Sequence, residues 1–167
     1  EAFDISNDIK VIHNFIDLNR FSRQNKEHFK QAIAPNGERI FIHVSNFRKV
    51  KRVDDVIKMF ALVEKEISAT LLMIGDGPDR YKMEALCREM GLCDKIRFLG
   101  KQEAVEELLA ISDIFVMPSE NESFGLAALE AMACGKPLLL FDIQILKSGL
   151  LLSLVYQQLR IQLFLSL

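Results

Sequence analysis

The chain is poor in the residues that mark several protein classes. It has no Trp, four Pro and eight Gly in 167 residues, so it is neither collagen-like nor a segment kept disordered by proline and glycine. Its three cysteines, Cys87, Cys93 and Cys134, form neither a CxxC pair nor a cluster with histidine at zinc-ligand spacing. We therefore expect reduced, mostly buried cysteines and a cytoplasmic protein.

Neither an excess of one charge nor a long apolar run is present. The net charge of −2 and a pI of about 6.0 give no general attraction to nucleic acid or to an anionic membrane. Acidic residues stand where a signal or transit peptide would have basic ones. No uncharged apolar run reaches the roughly 18 residues of a membrane span. We expect no nucleic-acid partner, no membrane span and no targeting segment.

What the sequence does contain is a regular alternation of short apolar runs and segments with helical periodicity. The runs at 41–44, 70–74, 95–99 and 113–117 are predicted strands, and the segments 53–66, 79–90, 105–111 and 123–134 are predicted helices. Apolar strands separated by helices are typical of a parallel sheet with helices on both faces and right-handed crossovers. The prediction is one α/β domain.

Polar loops follow each of these strands, at 45–52, 75–78, 100–101 and 118–123. Ligands of open parallel sheets bind at the carboxyl ends of the strands, which lie along one edge. We therefore expect the four loops to meet in one site.

The start of the last predicted helix has the features of an anion site. Ser123 is a candidate N-cap, and Gly135 is a candidate residue just after the helix. Amides at Phe124, Gly125 and Leu126 would then favour a phosphate, because unpaired N–H groups and the positive end of the helix dipole coincide there. Gly125 would also permit a close approach of the backbone.

Two carboxylates, Glu122 and Glu130, are separated by seven residues in the same segment. Along a helix, this spacing corresponds to a rise of about 12 Å. A glycosidase needs its two carboxyls roughly 5 to 10 Å apart, so the spacing better suits a ligand with hydroxyls at both ends. Alternatively, both are ordinary surface glutamates of an amphipathic helix.

A basic loop, Arg48, Lys49, Lys51 and Arg52, follows the first strand. Its charges could neutralise a leaving diphosphate, which would lower the barrier to its departure. A solvated run of charges is an equally good interpretation.

The remaining candidates are weaker. Gly75 begins a Gly-Asp-Gly-Pro segment that is equally a tight turn before a helix. Phe98 and Leu99 could contact a base through their backbone, but the end of a core strand is the better interpretation of each. His43 lies in the middle of a strand and is expected to be a core residue or a satisfied polar one.

Taken together, these segments resemble the C-terminal domain of the GT-B-fold, family 4 retaining glycosyltransferases over about residues 10–137. Residues 11–21, 72–78 and 96–100 are similar to its opening and middle motifs. The segment 118–137 is the most specific match, since it contains a Glu-x7-Glu signature followed by Gly-Lys-Pro. The resemblance implies a Rossmann-like parallel sheet that forms one incomplete half of a GT-B fold.

By this resemblance, Glu130 binds the ribose hydroxyls and Glu122 the donor sugar. Lys51 falls at the position of the family's diphosphate lysine. The family's paired arginine is replaced by Asn46, and Arg48 is a candidate substitute for it. No metal ion and no cofactor is implied. The implied catalytic residues are Arg48, Lys51 and Glu122. The implied donor-binding residues are Ser45, Asn46, Gly75, Phe98, Leu99, Ser123, Phe124, Gly125, Leu126 and Glu130.

The run 45–53 is most similar to family members of the bacillithiol pathway that transfer N-acetylglucosamine from uridine diphosphate to L-malate. We therefore expect residues 1–137 to bind a UDP-sugar, UDP-N-acetylglucosamine, for a retaining glycosyltransferase. A small-molecule acceptor would bind an N-terminal domain that is absent from these 167 residues, so the chain alone is expected to be inactive. Alternatives are a non-catalytic nucleotide-binding or interaction remnant and a nucleotide-sugar epimerase of the same fold.

Residues 138–167 differ from the rest of the chain. They contain twelve leucines and three charged residues, Asp142, Lys147 and Arg160. The family has a strand, a Gly-Gly-x-x-Glu turn and further helices there, and the segment resembles none of them. We interpret it as a divergent or frameshifted tail, and we expect self-association through 150–154 and 163–167.

Overall fold

A computed structural model describes residue 10, residues 14–122 and residues 124–140. These residues form, in chain order, α1 (Glu27–Ile33), β1 (Arg39–Val44), α2 (Val53–Val63), β2 (Ala69–Ile74), α3 (Arg80–Glu89), β3 (Ile96–Gly100), α4 (Val105–Ile111), β4 (Ile114–Met117), α5 (Leu126–Ala133) and β5 (Leu138–Leu140). Each predicted strand and helix is present, and its ends differ from the prediction by three residues at most. Among the described residues, no helix is long and apolar enough to cross a membrane.

The strands form one parallel sheet with the order β3-β2-β1-β4-β5. The predicted α/β fold with a parallel sheet is therefore confirmed. The chain winds outward from β1 to β3 and then returns to the other side of β1, so the direction of winding reverses between β1 and β4. In this class of fold, a crevice forms outside the carboxyl ends of the strands at that reversal.

Helices cover the sheet on both faces, which explains why its central strands are mostly apolar. All six residues of β2 are buried. Successive side chains of a strand point to opposite faces, so Leu72 packs in one cluster with residues of α4 and α5. Leu71 and Met73 pack in the second cluster with residues of α2 and α3. This two-sided core fixes the strand ends that carry the site.

Two short elements were not predicted. α1 contributes the half-buried Phe29 and Ile33 to the core, a pattern too short to show helical periodicity. β5 pairs in parallel with β4, with Leu138 opposite Phe115. The first residues of the leucine-rich segment therefore extend the sheet, although this segment resembles no strand of the family. The rest of that segment, 141–167, lies outside the described residues.

The start of α5 also differs from the prediction. The helix begins at Leu126 and its N-cap is Gly125, in a left-handed conformation with φ of 73°. The prediction of Ser123 as the N-cap is therefore wrong, and Ser123 itself lies outside the described residues. The reason is steric, since a glycine can adopt the left-handed turn that directs the loop into the helix. At the other end, Gly135 has φ of 72°, as predicted for the residue that follows the helix.

Candidate functional site

A cleft of about 710 Å³ lies at the carboxyl ends of β1 and β4. This is the predicted edge of the sheet and the point at which the winding reverses. Nine of the predicted site residues line the cleft: Ser45, Asn46, Arg48, Lys51, Glu122, Phe124, Gly125, Leu126 and Glu130. Five further lining residues were not predicted: Asn14, Val44, Val50, Asn121 and Ala127. Asn14 lies within the opening motif at 11–21, and that motif was the signal available for it.

The other two predicted loops lie beside this cleft. A neighbouring cavity of about 400 Å³ is lined by Asp76, Gly77, Pro78 and Lys101 together with Asn46 and Arg48. Asn46 and Arg48 are therefore common to both cavities. The expected meeting of four loops is found, but it forms two adjoining cavities that share the basic loop.

Three predicted residues, Gly75, Phe98 and Leu99, are not among those that line the cleft. Phe98 packs edge-on against Phe47 at 6.4 Å between ring centroids, and Leu99 packs against the core on the opposite face of the sheet. Gly75 has φ of 119°, and a Cβ placed there would be 1.8 Å from the carbonyl oxygen of Ser45. Gly75 therefore permits the backbone at Ser45 to lie against it, so it shapes one wall of the cleft from behind.

The basic loop separates its four charges by forming a 3-10 turn, Lys49–Lys51. Arg52 follows in a left-handed conformation with φ of 48°, and its guanidinium pairs with Asp55 at 2.6 Å. The backbone N–H of Glu120 donates to the carbonyl of Val50 at 3.0 Å, which joins the turn to the loop after β4. As a result, Lys51 faces the cleft while Lys49 is exposed.

The ammonium of Lys51 forms an ion pair with Oε1 of Glu122. The side chain of Lys51 is 18% exposed and that of Glu122 is 12% exposed, so solvent screens the pair only in part. Sequence reasoning identified both residues but assigned them to different parts of a ligand. It did not predict their contact, which joins the loops after β1 and β4.

His43 is fully buried in β1, as expected for a core or satisfied polar residue. Its Nδ1 is 2.8 Å from the carbonyl oxygen of Val116 in β4, and its Nε2 is 2.7 Å from Oγ of Ser45. Burial lowers the pKa of His43 to about 4, so the ring is neutral near pH 7. His43 thus connects two strands to the first loop residue of the cleft.

Glu130 lies in the second turn of α5 and is half buried. Burial raises the pKa of Glu130, with Arg20 acting in the opposite direction and Glu106 in the same one. Arg20 forms an ion pair with Glu106 at 2.8 Å. Because α5 begins only at Leu126, the helical rise to Glu130 is about 6 Å. The rise of about 12 Å inferred for an unbroken helix from Glu122 is therefore wrong.

The first turn of α5 supplies backbone donors to the cleft. The amides of Ala128 and Leu129 donate to the carbonyl of Gly125 at 2.9 and 3.1 Å. The amides of Leu126 and Ala127 precede these bonds and have no acceptor within the helix. Since both residues line the cleft, the helix dipole and these N–H groups make it suitable for an anion.

Comparison with known proteins connects this geometry to a family. Residues 24–148 match the family described as glycosyl transferases group 1. N-acetyl-alpha-D-glucosaminyl L-malate synthase of Bacillus anthracis is 47% identical over 131 residues, which are 78% of this chain and 34% of that protein. The chain therefore spans about a third of the length of this curated relative.

Solved structures agree with the fold. HepE of Anabaena, crystallised with UDP-glucose, superposes with a TM-score of 0.69 and 26% identity over 78% of this chain and 38% of that chain. TarM of S. aureus, in a complex that contains UDP, superposes with a TM-score of 0.67 and 26% identity over 85% of this chain and 27% of that chain. The match to the family model covers well over half of the sequence. The chain belongs to the glycosyl transferases group 1 family and has the fold of a GT-B glycosyltransferase half.

Proposed function

We propose that this chain is the donor-binding half of a retaining glycosyltransferase and that it binds a UDP-sugar in the cleft between the ends of β1 and β4. One observation carries the proposal. The cleft brings two cations, Lys51 and Arg48, together with the first turn of α5 and two carboxylates, Glu122 and Glu130. A nucleotide-sugar has a diphosphate between two groups rich in hydroxyls, and this arrangement has matching chemistry.

The cations and the helix end act on the diphosphate. When the bond between the sugar and the nucleotide breaks, negative charge develops on the departing phosphate oxygen. Arg48 and the amides of the first turn of α5 are donors that are already in place for that charge, and Lys51 joins them once the diphosphate replaces Glu122 as its partner. Groups positioned in this way lower the barrier to departure. By the resemblance, Asn46 stands where the family has an arginine, and the exposed Arg48 lines the same cleft as the candidate substitute.

The carboxylates act on the two ends of the ligand. A carboxylate accepts hydrogen bonds from paired hydroxyls, and we assign the ribose to Glu130 and the sugar to Glu122. Without a ligand, Glu122 neutralises Lys51. The arriving diphosphate would therefore exchange partners with Glu122, and the released carboxylate could then accept from the sugar. Binding of the phosphate and of the sugar is thus coupled through one ion pair.

The sugar and the acceptor are proposed from the relative that is 47% identical. We propose N-acetylglucosamine as the sugar and L-malate as the acceptor. The matched region is only 34% of that relative, so we assign acceptor binding to the part of the relative that this chain does not span. The isolated chain should therefore bind the nucleotide and transfer little sugar, because transfer needs both substrates held in reactive geometry.

Calorimetric titration tests the proposal. UDP and UDP-N-acetylglucosamine should bind the folded chain, and ADP and GDP should bind more weakly. Lys51→Ala should weaken the binding of both uridine ligands. Lys49→Ala is the matched control, because Lys49 lies on the exposed side of the same turn. A folded chain that binds no uridine nucleotide would overturn the assignment of this cleft. Equal effects of the two lysine variants would show that only general charge matters.

A further inference from the structure

The hydrogen-bond partners of His43 determine which of its nitrogens has the proton. Its Nδ1 is 2.8 Å from the carbonyl oxygen of Val116, and a carbonyl oxygen can only accept a hydrogen bond. Nδ1 must therefore donate. In a neutral imidazole the other nitrogen is then an acceptor. The ring is fully buried, and burial lowers its pKa to about 4, so this neutral tautomer is the form present at pH 7.

This tautomer in turn determines the orientation of the Ser45 hydroxyl. Oγ of Ser45 is 2.7 Å from Nε2 of His43, and because Nε2 accepts, the hydroxyl must donate. A hydroxyl has one hydrogen and two lone pairs, so only acceptor capacity remains. The backbone N–H of Ser45 is also occupied, since it donates to the carbonyl of Ile74 at 3.1 Å. Ser45 therefore presents an acceptor to the cleft and no donor.

We infer that Ser45 is a specificity residue whose hydroxyl can only accept from a ligand, because His43 fixes its orientation. It accepts a hydrogen bond from a hydroxyl or amide N–H of the donor sugar and does not bind a phosphate oxygen. This inference rests on the proposed function. Ionised phosphate oxygens are acceptors, so they would face the lone pairs of Ser45 without a proton between them. Lys51 lies nearby and has only donors. Lys51 is therefore assigned to the phosphate, and Ser45 is assigned to a hydrogen-bond donor of the sugar.

The charges around His43 place the Ser45 contact beside the ion pair of Lys51 and Glu122. Lys51 and Glu122 both act electrostatically on the His43 ring, so the unit of His43 and Ser45 lies close to their ion pair. Glu122 is the residue assigned to the sugar. Ser45 and Glu122 are then two acceptors for hydroxyl or amide donors, one from the loop after β1 and one from the loop after β4.

The tautomer can be measured without any ligand. In a nitrogen-15 NMR spectrum of the full chain at pH 7, His43 should show a protonated Nδ1 and an unprotonated Nε2. His13→Gln and His28→Gln variants identify its signals by elimination, so His43 itself need not be changed. A protonated Nε2 would overturn the inference, because Ser45 would then be free to donate.

The contact with the sugar is tested by binding. Ser45→Ala should lower the affinity for UDP-N-acetylglucosamine about five- to tenfold, the size expected for one neutral hydrogen bond. It should change the affinity for UDP by less than about twofold. Ser68→Ala is the matched control, since Ser68 is exposed and precedes β2 at the opposite edge of the sheet. Equal weakening of both ligands by Ser45→Ala would overturn the inference. A wild-type chain that binds neither ligand would instead overturn the proposed function and the sugar contact with it, while the NMR result would still decide the role of His43.

Discussion

Lys51 and Glu122 are 71 positions apart in the sequence, yet they form an ion pair at the cleft. Each side chain is more than four-fifths buried, so each would be left as a poorly solvated charge if its partner were removed. A ligand with a negative group for Lys51 and hydroxyl groups for Glu122 can replace both halves of the contact. The pair therefore occupies the cleft when no ligand is bound.

Removal of the Glu122 charge should change the affinities for UDP and for UDP-N-acetylglucosamine differently. Glu122→Gln releases Lys51, so affinity for UDP should stay constant or rise, while affinity for UDP-N-acetylglucosamine should fall by about 1 to 3 kcal/mol, the size of a lost charged hydrogen bond. Isothermal titration of both ligands measures this. Glu120→Gln is the control, because Glu120 is an exposed carboxylate in the same loop. If Glu122→Gln weakened the two ligands equally, the assigned order along the ligand would be wrong.

Glu130 should affect the nucleotide itself. Glu130→Ala is expected to weaken UDP and UDP-N-acetylglucosamine alike by about 1 to 3 kcal/mol without unfolding the domain. Because burial raises the pKa of Glu130, wild-type affinity should fall as acid protonates this carboxyl, starting at a higher pH than for an exposed glutamate. Glu130→Gln should remove that part of the pH dependence. Unchanged affinity in a folded variant would exclude Glu130 from the site.

Stability should depend on pH through His43. The pKa of His43 falls from 6.5 to about 4 on burial, so the folded state binds fewer protons than the unfolded state between these values. The free energy of unfolding should therefore decrease as pH falls from 6.5 to 4, by roughly 3 kcal/mol in total from this residue. Urea unfolding across this range measures the decrease.

Two variants distinguish the contribution of His43 to the pH dependence of stability from the contributions of other groups. His43→Gln should be less stable than wild type at pH 7, because it removes the buried ring that bonds both Val116 and Ser45. The difference in stability should narrow as the pH falls to 5. His28→Gln is the control, since His28 is exposed, and it should keep the wild-type slope. A difference between His43→Gln and wild type that stays constant with pH would contradict the assigned cause.

The leucine-rich segment should promote self-association. Residues 150–154 and 163–167 are the expected contact segments, because they are apolar and almost free of charge. Light scattering coupled to size exclusion should show concentration-dependent oligomers. The double variant Leu152→Glu, Leu165→Glu should reduce them. A monomer at high concentration, with slow hydrogen exchange throughout 138–167, would contradict this prediction.

Sequence patterns located most of the site because each of its loops and its helix is formed by residues close together in the chain. Alternating apolar runs and helical stripes predicted the strand ends at Val44, Ile74 and Met117, where the structure has them. The rule for parallel sheets placed the following loops on one edge. Lys51 and Glu122 lie in those loops and Glu130 lies in the helix that follows, and all three were identified by charge, spacing and the family resemblance. All three line the cleft.

Other features follow from contacts between distant segments, which local patterns do not encode. The strand order β3-β2-β1-β4-β5 brings the loop after β1 against the loop after β4, and only this neighbourhood creates the pair of Lys51 with Glu122. The same neighbourhood gives His43 its partner Val116. The start of α5 at Leu126 depends on the left-handed turn at Gly125, a backbone geometry set by the approach of the loop.

The sequence by itself thus determined which chemical groups are available and at which edge of the sheet they lie, because helix and strand periodicity depend on residues close together in the chain. The tertiary structure decided which groups touch. It placed Gly75 behind the cleft and brought the Ser45 hydroxyl against the buried ring of His43. The physical reason is that packing and hydrogen bonding across the sheet select among the contacts that local sequence leaves open.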